Sequence, residues 1–580
     1  MTLPQTLSIE ALANAYKKGE ASPREVAQLI AQRAAEHAES NVWIVPPTME
    51  FMAPYLERLE AMTTSERATA PLWGIPFAVK DNIDVEGVPT TAACPEYAYT
   101  PEASATVVQL LVEAGAFPVG KTNLDQFATG LVGTRSPYGE CHNALKPELI
   151  SGGSSSGSAV SVALGMAAFA LGTDTAGSGR VPAALNNLVG FKPALGKWST
   201  KGVVPACASL DCVTVFAHTL EDVQAVDAVA AQPDAECPWS KAYTAQQPRF
   251  PQTVYVPAEE PQFYGPYEAE YRAAWHKALA RISCVAKAQG ATVQPLDTAE
   301  FSRIAAILYD GPWVAERWSD LGQFVEQHGE AVFPVTKQIL ESGNRPDLTA
   351  ADMFQTLHEI TAMRAKCAAL FNDAVMIMPT AGGTFTRQQV DADPIATNSQ
   401  MGLYTNHCNL SDLGAIAVPA GWAAEKVPFG ITAFTTAQRQ CLTDGFAKAF
   451  LEEQTVEVAV CGQHMQGLEL HWQLEQLGAE YLATTKTAAK YQLFALPTQP
   501  VKPGLVKVAE GGSNIKVETY LLTAEAFGKL VANTSAPLGF GSVELEDGRE
   551  VKGFLAEPHA LQGGVEEITR FGSFREWLKA

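Results

Sequence analysis

The chain has 580 residues, too many for one ordinary hydrophobic core, so two or more domains are expected. Apolar residues make up 47% and charged residues 18%, which excludes a disordered chain and fits a packed globular enzyme. A formal net charge of -22 repels polyphosphates and anionic lipid, so no nucleic acid and no membrane is expected as a partner, and a small anionic substrate would need its own cationic clamp.

The opening residues Met1–Gln5 show no basic segment followed by an apolar one, and no run reaches the ~18 apolar residues of a bilayer span. The ten cysteines are scattered, without CxxC pairs or zinc-type Cys/His spacing. Reduced thiols in a cytoplasmic protein, with no metal and no cofactor, are the expectation. The first 65 or so residues read as helices. Ser8 caps Ile9–Lys18, and Ser22-Pro23-Arg24-Glu25 forms a capping box with proline at the first helical position.

Alternation follows. Buried-strand candidates are Ile75–Val79, Phe117–Gly120, Thr253–Val256, Ala374–Met378 and Ala415–Val418. Helical stretches lie at Ala105–Ala114, Ala159–Ala170, Leu220–Ala230, Tyr267–Gln289 and Ala351–Phe371. This pattern predicts an α/β fold with a mixed central sheet covered by helices. An amphipathic helix, Leu442–Phe450, ends the pattern and places a domain boundary near Leu451–Thr455, giving domains 1–452 and 456–580. The last 124 or so residues read as a small α+β domain. Its strand candidates are Val456–Val460, Tyr491–Ala495, Ile515–Thr519, Gly541–Leu545 and Val551–Ala556. Helices are expected at Leu468–Leu477 and Ala524–Val531, and Asp547-Gly548 supplies a hairpin turn.

Three stretches carry chemistry. Lys80 ends the apolar run Gly74-Ile75-Pro76-Phe77-Ala78-Val79. Ser154 lies in Ser151-Gly152-Gly153-Ser154-Ser155-Ser156-Gly157-Ser158, and Ser178 in Gly172-Thr173-Asp174-Thr175-Ala176-Gly177-Ser178-Gly179-Arg180. A serine hydroxyl is almost never ionised at neutral pH and needs a base within reach. A solvated lysine, with a pKa near ~10.4, cannot serve. A lysine at the end of a buried strand can, because burial disfavours its charged form. The competing reading pairs Lys80 with Asp81 or Asp84. Glycine-rich loops supply backbone amides for a developing oxyanion, and a phosphate cradle is disfavoured because neither of these two loops carries GxxxxGK[ST] or GxGxxG. A flexible Gly/Ser linker at Gly152–Ser158 is rejected, since core-like sequence flanks it. Ser155, Ser156 and Ser158 read as loop and cap hydroxyls, Asp174 and Arg180 as loop stabilisers, and His142 and His218 as structural.

The run Ser151–Pro193 resembles the amidase signature family: a GGSS-type loop, a small-residue helix, GTDxxGS, then Arg180-Val181-Pro182-Ala183 and Gly190-Phe191-Lys192-Pro193. The spacings of 74 residues from Lys80 to Ser154 and 24 from Ser154 to Ser178 fit that family's Ser-cisSer-Lys triad. The resemblance covers roughly residues 1–450. It implies that Ser178 is the acyl-forming nucleophile, Ser154 a bridging serine on a cis peptide, and Lys80 the base. The amides of Thr175, Ala176, Gly177 and Ser178 are implied as the oxyanion hole. Ala176 and Gly179 stand where the family more often has Gly and Ile.

Tyr309 and Arg317 lie eight residues apart on one helix-rich segment, and arginine's planar fork suits a carboxylate. The alternative is a surface ion pair of Arg317 with Glu316 or Asp310. With the C-terminal domain, whose likeness is to the gamma-glutamylcyclotransferase fold, the layout resembles the allophanate hydrolases. That resemblance implies hydrolysis of allophanate (urea-1-carboxylate) at its terminal amide to release ammonia. Arg317, Tyr309 and the Gly130 backbone are implied to hold the substrate, and the C-terminal domain to promote decarboxylation of the N-carboxycarbamate product. It also implies a homodimer and coupling to a urea carboxylase or a triazine-degradation pathway. Cys461-Gly462-Gln463-His464 follows the first strand of that domain where cyclotransferase-like folds carry a YGS-type loop, which disfavours cyclotransferase activity. His464 is the candidate proton-handling residue there, with a weaker claim for His471. Alternatives are the glutamine amidase subunit of a tRNA-dependent amidotransferase, a small aliphatic amidase, and an inactive scaffold.

Overall fold

The computed structural model describes residues 6–309 and 311–580, so the expectations on Met1–Gln5 and on Asp310 as an ion-pair partner lie outside the described residues. Contacts divide the chain into two compact units. One runs up to Ala274 and resumes over Gln294–Lys448; the other takes Trp275–Val293 and Ala449–Ala580.

The first unit is built on strands β1 (Trp43–Val45), β2 (Pro76–Lys80), β3 (Phe117–Thr122), β4 (Phe169–Asp174), β5 (Val189–Lys192), β6 (Cys212–Ala217), β7 (Thr253–Pro257), β8 (Thr292–Leu296), β9 (Ala374–Pro379), β10 (Leu413–Ala424) and β11 (Val427–Thr436). They form one sheet in the order β1-β3-β2-β4-β6-β5-β10-β11-β9-β7-β8. It is mixed: β2 runs parallel to both β3 and β4, whereas β4 and β6 are antiparallel. The fold is therefore the expected mixed α/β sheet covered by helices. Every residue of β2, β3, β4 and β6 is buried, as strands covered on both faces must be.

The helices Ile9–Lys18, Pro23–Glu36 and Leu220–Ala230 follow their capping signals and apolar spacing, and Thr106–Glu113 its apolar spacing alone. Two expectations need correction. The first 65 residues are not all helical, because β1 lies among them. The run Ala159–Ala170 is not one helix. Its helix is Ser156–Ala163, and Phe169 opens strand β4. A stretch of small apolar residues suits either a buried helix or a buried strand, and here the chain turns between them.

Helical crossovers carry the chain from β2 to β3 and from β3 to β4, so the ends of β2 and β4 and the loop before Ser156 converge. Loops beyond the carboxyl ends of such strands are where α/β proteins place their sites. A buried ion pair fixes the turn after β4. Arg180 donates to Asp174 through Nε at 2.9 Å and Nη2 at 3.0 Å, and the Gly179 amide donates to the same carboxylate at 2.9 Å.

In the second unit, strands β12 (Thr455–Val460), β13 (Glu480–Lys486), β16 (Lys516–Thr523), β17 (Leu538–Glu544) and β18 (Glu550–Ala556) make a five-stranded sheet, β13-β16-β12-β18-β17. β14 (Tyr491–Leu496), β15 (Lys502–Lys507) and β19 (Glu566–Glu567) make a smaller one, β15-β14-β19. Its helices include His471–Gln476, Ala524–Ala532 and Phe574–Trp577, and the turn at Asp547-Gly548 forms as expected, with Gly548 at φ +86°. The unit is α+β. The later part of the helix Glu268–Ala288 joins it, with Ala280 and Cys284 packed on Leu521.

Arg180→Met leaves the Asp174 carboxylate buried without its partner. We expect a loss of about 3–5 kcal/mol in the first unit, read as a lowered denaturant midpoint for that unit's transition while the second unit's is unchanged.

Candidate active site

Lys80 closes β2 with a side chain 0% exposed. Its Nζ donates to Ser154 Oγ at 2.7 Å and to Thr173 Oγ1 at 2.7 Å. The register explains the second contact. Val79 is level with Leu171 across the β2–β4 ladder, which brings Lys80 alongside Thr173 two places further along β4. Burial pushes the lysine amine down to about 7, against the upward pull of the Asp125, Asp211 and Asp174 carboxylates. Pairing with Asp81 or Asp84 is not what occurs. Asp81 lies 3.0 Å from Lys121 Nζ, and Asp84 accepts from Thr90 and Tyr99, each at 2.8 Å.

The peptide Gly153–Ser154 is cis. A Cβ at Gly153 would overlap the Asp125 carboxylate, so only glycine lets the two meet. Asp125 holds the loops together. Its amide donates to the Ser154 carbonyl at 3.1 Å, and its carboxylate accepts from the amides of Gly133 at 3.0 Å and Arg135 at 2.9 Å. The other serines of this loop bond to backbone: Ser155 to the Thr173 carbonyl at 3.1 Å and Ser158 to the Leu171 carbonyl at 2.9 Å.

Ser178 is buried on the loop after β4. Its hydroxyl donates to the Gly130 carbonyl at 3.5 Å. Among the described residues no hydrogen bond joins it to Ser154, so Lys80 and Ser154 are brought together while Ser178 is held by the neighbouring loop. Catalytic contacts of this kind often tighten only with substrate bound. No protein acceptor among the described residues takes the amides of Thr175, Ala176, Gly177 or Ser178, whereas the next amide, Gly179, is occupied by Asp174. A Cβ at Gly177 would overlap Thr405 Oγ1, so the backbone passes where no side chain fits. Thr175 donates a short hydrogen bond to Asp211. Asp211 also accepts from Ala206 and Cys207, and burial raises its carboxyl to about 6.

Tyr309 and Arg317 do meet, across a break between two helices of that segment. Tyr309 follows the helix Ala299–Ile307, and Arg317 lies on the next, Val314–His328. The Arg317 side chain is 1% exposed, which overturns the surface ion pair. Glu316 turns instead to Ser209, accepting from its amide at 2.8 Å and its hydroxyl at 2.7 Å. Arg317 donates to Thr129 Oγ1 at 3.0 Å and to Tyr309 Oη at 3.4 Å, with its Cζ 5.2 Å from the tyrosine ring centre. Its Nε is buried without a partner, and no carboxylate among the described residues lies within ion-pair distance. Thr129 and Gly130 thus adjoin both Arg317 and Ser178. Phe127 and Ala128, just before them, both have φ +52°, unusual for residues bearing a Cβ. Phe127 is held there by edge contacts with Tyr97 and Phe324.

In the second unit His464 is half-buried. Its Nε2 pairs with Gln473 Oε1 at 2.9 Å, and its ring stacks on Phe554 with centres 5.0 Å apart. Burial lowers its pKa. It lines a pocket with Gly462, Gln463, Lys502 and Pro503. His471 is tied to the His464 carbonyl at 2.9 Å. Among the described residues no cluster of three His, Cys, Asp or Glu side chains could hold a metal ion, and no helix is long and apolar enough to cross a membrane.

Thr173, Asp125, Thr129 and Asp211 were not singled out from the sequence. Their contacts close loops of 5 to 188 residues, and only Thr173, inside the GTD run, sits in a legible motif.

The amidase family model matches residues 25–442, and the model of the allophanate hydrolase C-terminal domain matches residues 456–579. The urea amidolyase of Saccharomyces cerevisiae is 41% identical over 93% of this chain, which spans only 31% of that protein's length. The allophanate hydrolase of Kluyveromyces lactis superposes with a TM-score of 0.70 at 37% identity, covering 99% of both chains. The K. lactis urea amidolyase gives 0.71 at 37% identity over 99% of this chain and 37% of that one. The chain belongs to the amidase family and carries the C-terminal domain of the allophanate hydrolases.

Proposed function

We propose that the first unit hydrolyses the terminal amide of allophanate through a seryl acyl-enzyme. One observation carries the chemistry: a fully buried lysine amine, lowered to about 7, within 2.7 Å of Ser154 Oγ. Neutral Lys80 takes the Ser154 proton as Ser154 takes that of Ser178. Ser178 Oγ then attacks the carboxamide carbon. The amides of Thr175, Ala176, Gly177 and Ser178 stabilise the oxyanion. The same relay returns the proton to the leaving nitrogen, ammonia departs, and water attacks the ester by the reverse path to release N-carboxycarbamate.

Arg317 supports the choice of substrate. Among the described residues no carboxylate reaches ion-pair distance of this buried guanidinium, which is costly, and a substrate carboxylate relieves that cost while fixing the amide carbon against Ser178. Tyr309 and the Gly130 backbone complete this binding reading. In the second unit, His464 promotes loss of CO₂ from the product, after which the carbamate yields a second ammonia. A homodimer, a cytoplasmic setting and coupling to a urea carboxylase belong to the same proposal. Likeness to the urea amidolyases supports the coupling, and ten unpaired cysteines support the setting.

Ammonia release from allophanate, glutamine and malonamate supplied separately tests the reading. We expect two ammonia per allophanate, no turnover of glutamine, and none of any amide by Ser178→Ala; preference for glutamine would overturn it. His464→Ala should keep the first ammonia and slow the second, and loss of the first would refute the division of labour. Since Lys80 accepts a proton only when neutral, kcat/KM should rise with pH through an acid limb near 7 and then level off. Lys80→Met should lose at least ~10³-fold, and a flat wild-type profile from pH 5.5 to 8.5 would count against the lysine base.

A further inference from the structure

A second buried guanidinium stands beside the first. Arg135 is 1% exposed and Thr129 is 0% exposed. Arg135 Nη1 donates to the Thr129 carbonyl at 3.0 Å, while Arg317 Nη1 donates to the hydroxyl of the same residue at 3.0 Å. Thr129 is therefore gripped through its backbone by one arginine and through its side chain by the other. The next carbonyl, that of Gly130, receives the Ser178 hydroxyl.

Arg135 Nη2 donates to the Pro394 carbonyl at 2.6 Å, and its Nε is buried without a partner. No carboxylate among the described residues lies within ion-pair distance of its guanidinium; Asp125 meets only its backbone amide. Burial and the like charge of Arg317 press its pKa down, while Asp125 and Tyr309 oppose them. Neutral carbonyls would be served equally well by an uncharged amide side chain. Two arginines keeping their charges in one dry site, neither with a carboxylate at ion-pair distance among the described residues, are costlier than a neutral pair unless an anion enters.

We propose that Arg135 is a positioning and specificity-determining residue: it clamps Thr129 opposite Arg317 and supplies a second positive charge, so that the site prefers amides bearing a carboxylate over uncharged ones. This rests on the reading of Arg317 as the carboxylate's partner. Arg135 acts through Thr129 and through its field, and fixes the Gly130 carbonyl against which Ser178 is set.

The test compares the full-length protein with Arg135→Met, Arg135→Lys and Arg317→Met on malonamate and on malonamide, which differ only in replacing a carboxylate by a carboxamide. The readout is the ratio of the two kcat/KM values. Arg135→Met should lower that ratio at least tenfold, mainly through KM for malonamate, and Arg135→Lys should return it to within threefold of the parent. If the methionine variant does not fold, Arg135→Gln, neutral but still a donor to the Thr129 carbonyl, should show the same tenfold fall. An unchanged ratio, or equal loss on both substrates, overturns the proposal for Arg135. An unchanged ratio in Arg317→Met instead overturns the carboxylate reading itself, and this inference with it.

Discussion

The amine of Lys80, sealed from water between two hydroxyls, is the constraint to which the first unit is fitted. An ammonium removed from solvent is costly, and three carboxylates, Asp125, Asp211 and Asp174, lie near enough to favour its charge. None is its hydrogen-bond partner. Each is occupied elsewhere: Asp125 by backbone amides, Asp174 by Arg180, Asp211 by Thr175 and the Ala206–Cys207 turn. The lysine therefore receives their potential without a salt bridge. A direct carboxylate partner would hold the proton on the amine, and complete isolation would keep the amine neutral but less basic. Distant, pre-engaged acids leave it near neutrality, where a base both exists and accepts.

Those engagements also shape the loops. Asp125 ties the Gly130–Arg135 segment to the Ser154 loop, and Asp174 fixes the turn bearing Ser178. Electrostatics and geometry here are the work of the same side chains. The close approach of backbone to backbone that results is possible only at residues such as Gly153 and Gly177, where a Cβ would collide with Asp125 or Thr405.

How much of this the sequence discloses depends on the range of the interaction. Capped helices such as Ile9–Lys18 and Leu220–Ala230 are legible because their signals are local. Strand β2 is legible as an apolar run. Strands β4, β5, β6 and β11 are not, because runs such as Phe169-Ala-Leu-Gly and Val427-Pro-Phe-Gly mix small, apolar and glycine residues, and only the neighbouring strand decides their state. In the second unit β13 reads as polar, since one face of it is half-buried at most. Lys80, Ser154 and Ser178 stand out because glycine-rich loops and a strand-end lysine carry their own chemistry. Thr173, Asp125, Asp211 and Arg135 act through partners brought near by the sheet, and a threonine, an aspartate or an arginine in a loop has no spacing that announces it. Tyr309 and Arg317 were legible as a pair. Their placement across a helix break was not.

Charge poses the last question, because a chain of net charge -22 repels the anion that the proposed reading has it bind. The range of the two fields resolves it. Surface carboxylates are screened by water and salt beyond about 8–10 Å. Arg135 and Arg317 sit where solvent does not reach, and act at full strength over a few ångströms. The acidic exterior sets solubility and slows the approach of anions in general. On the reading proposed above, the interior pair decides which of those that arrive is held, in the arrangement where one end meets a guanidinium and the other the Ser178 hydroxyl. Selectivity on that reading is a property of burial: the same two arginines on the surface would be two more charges in an acidic field.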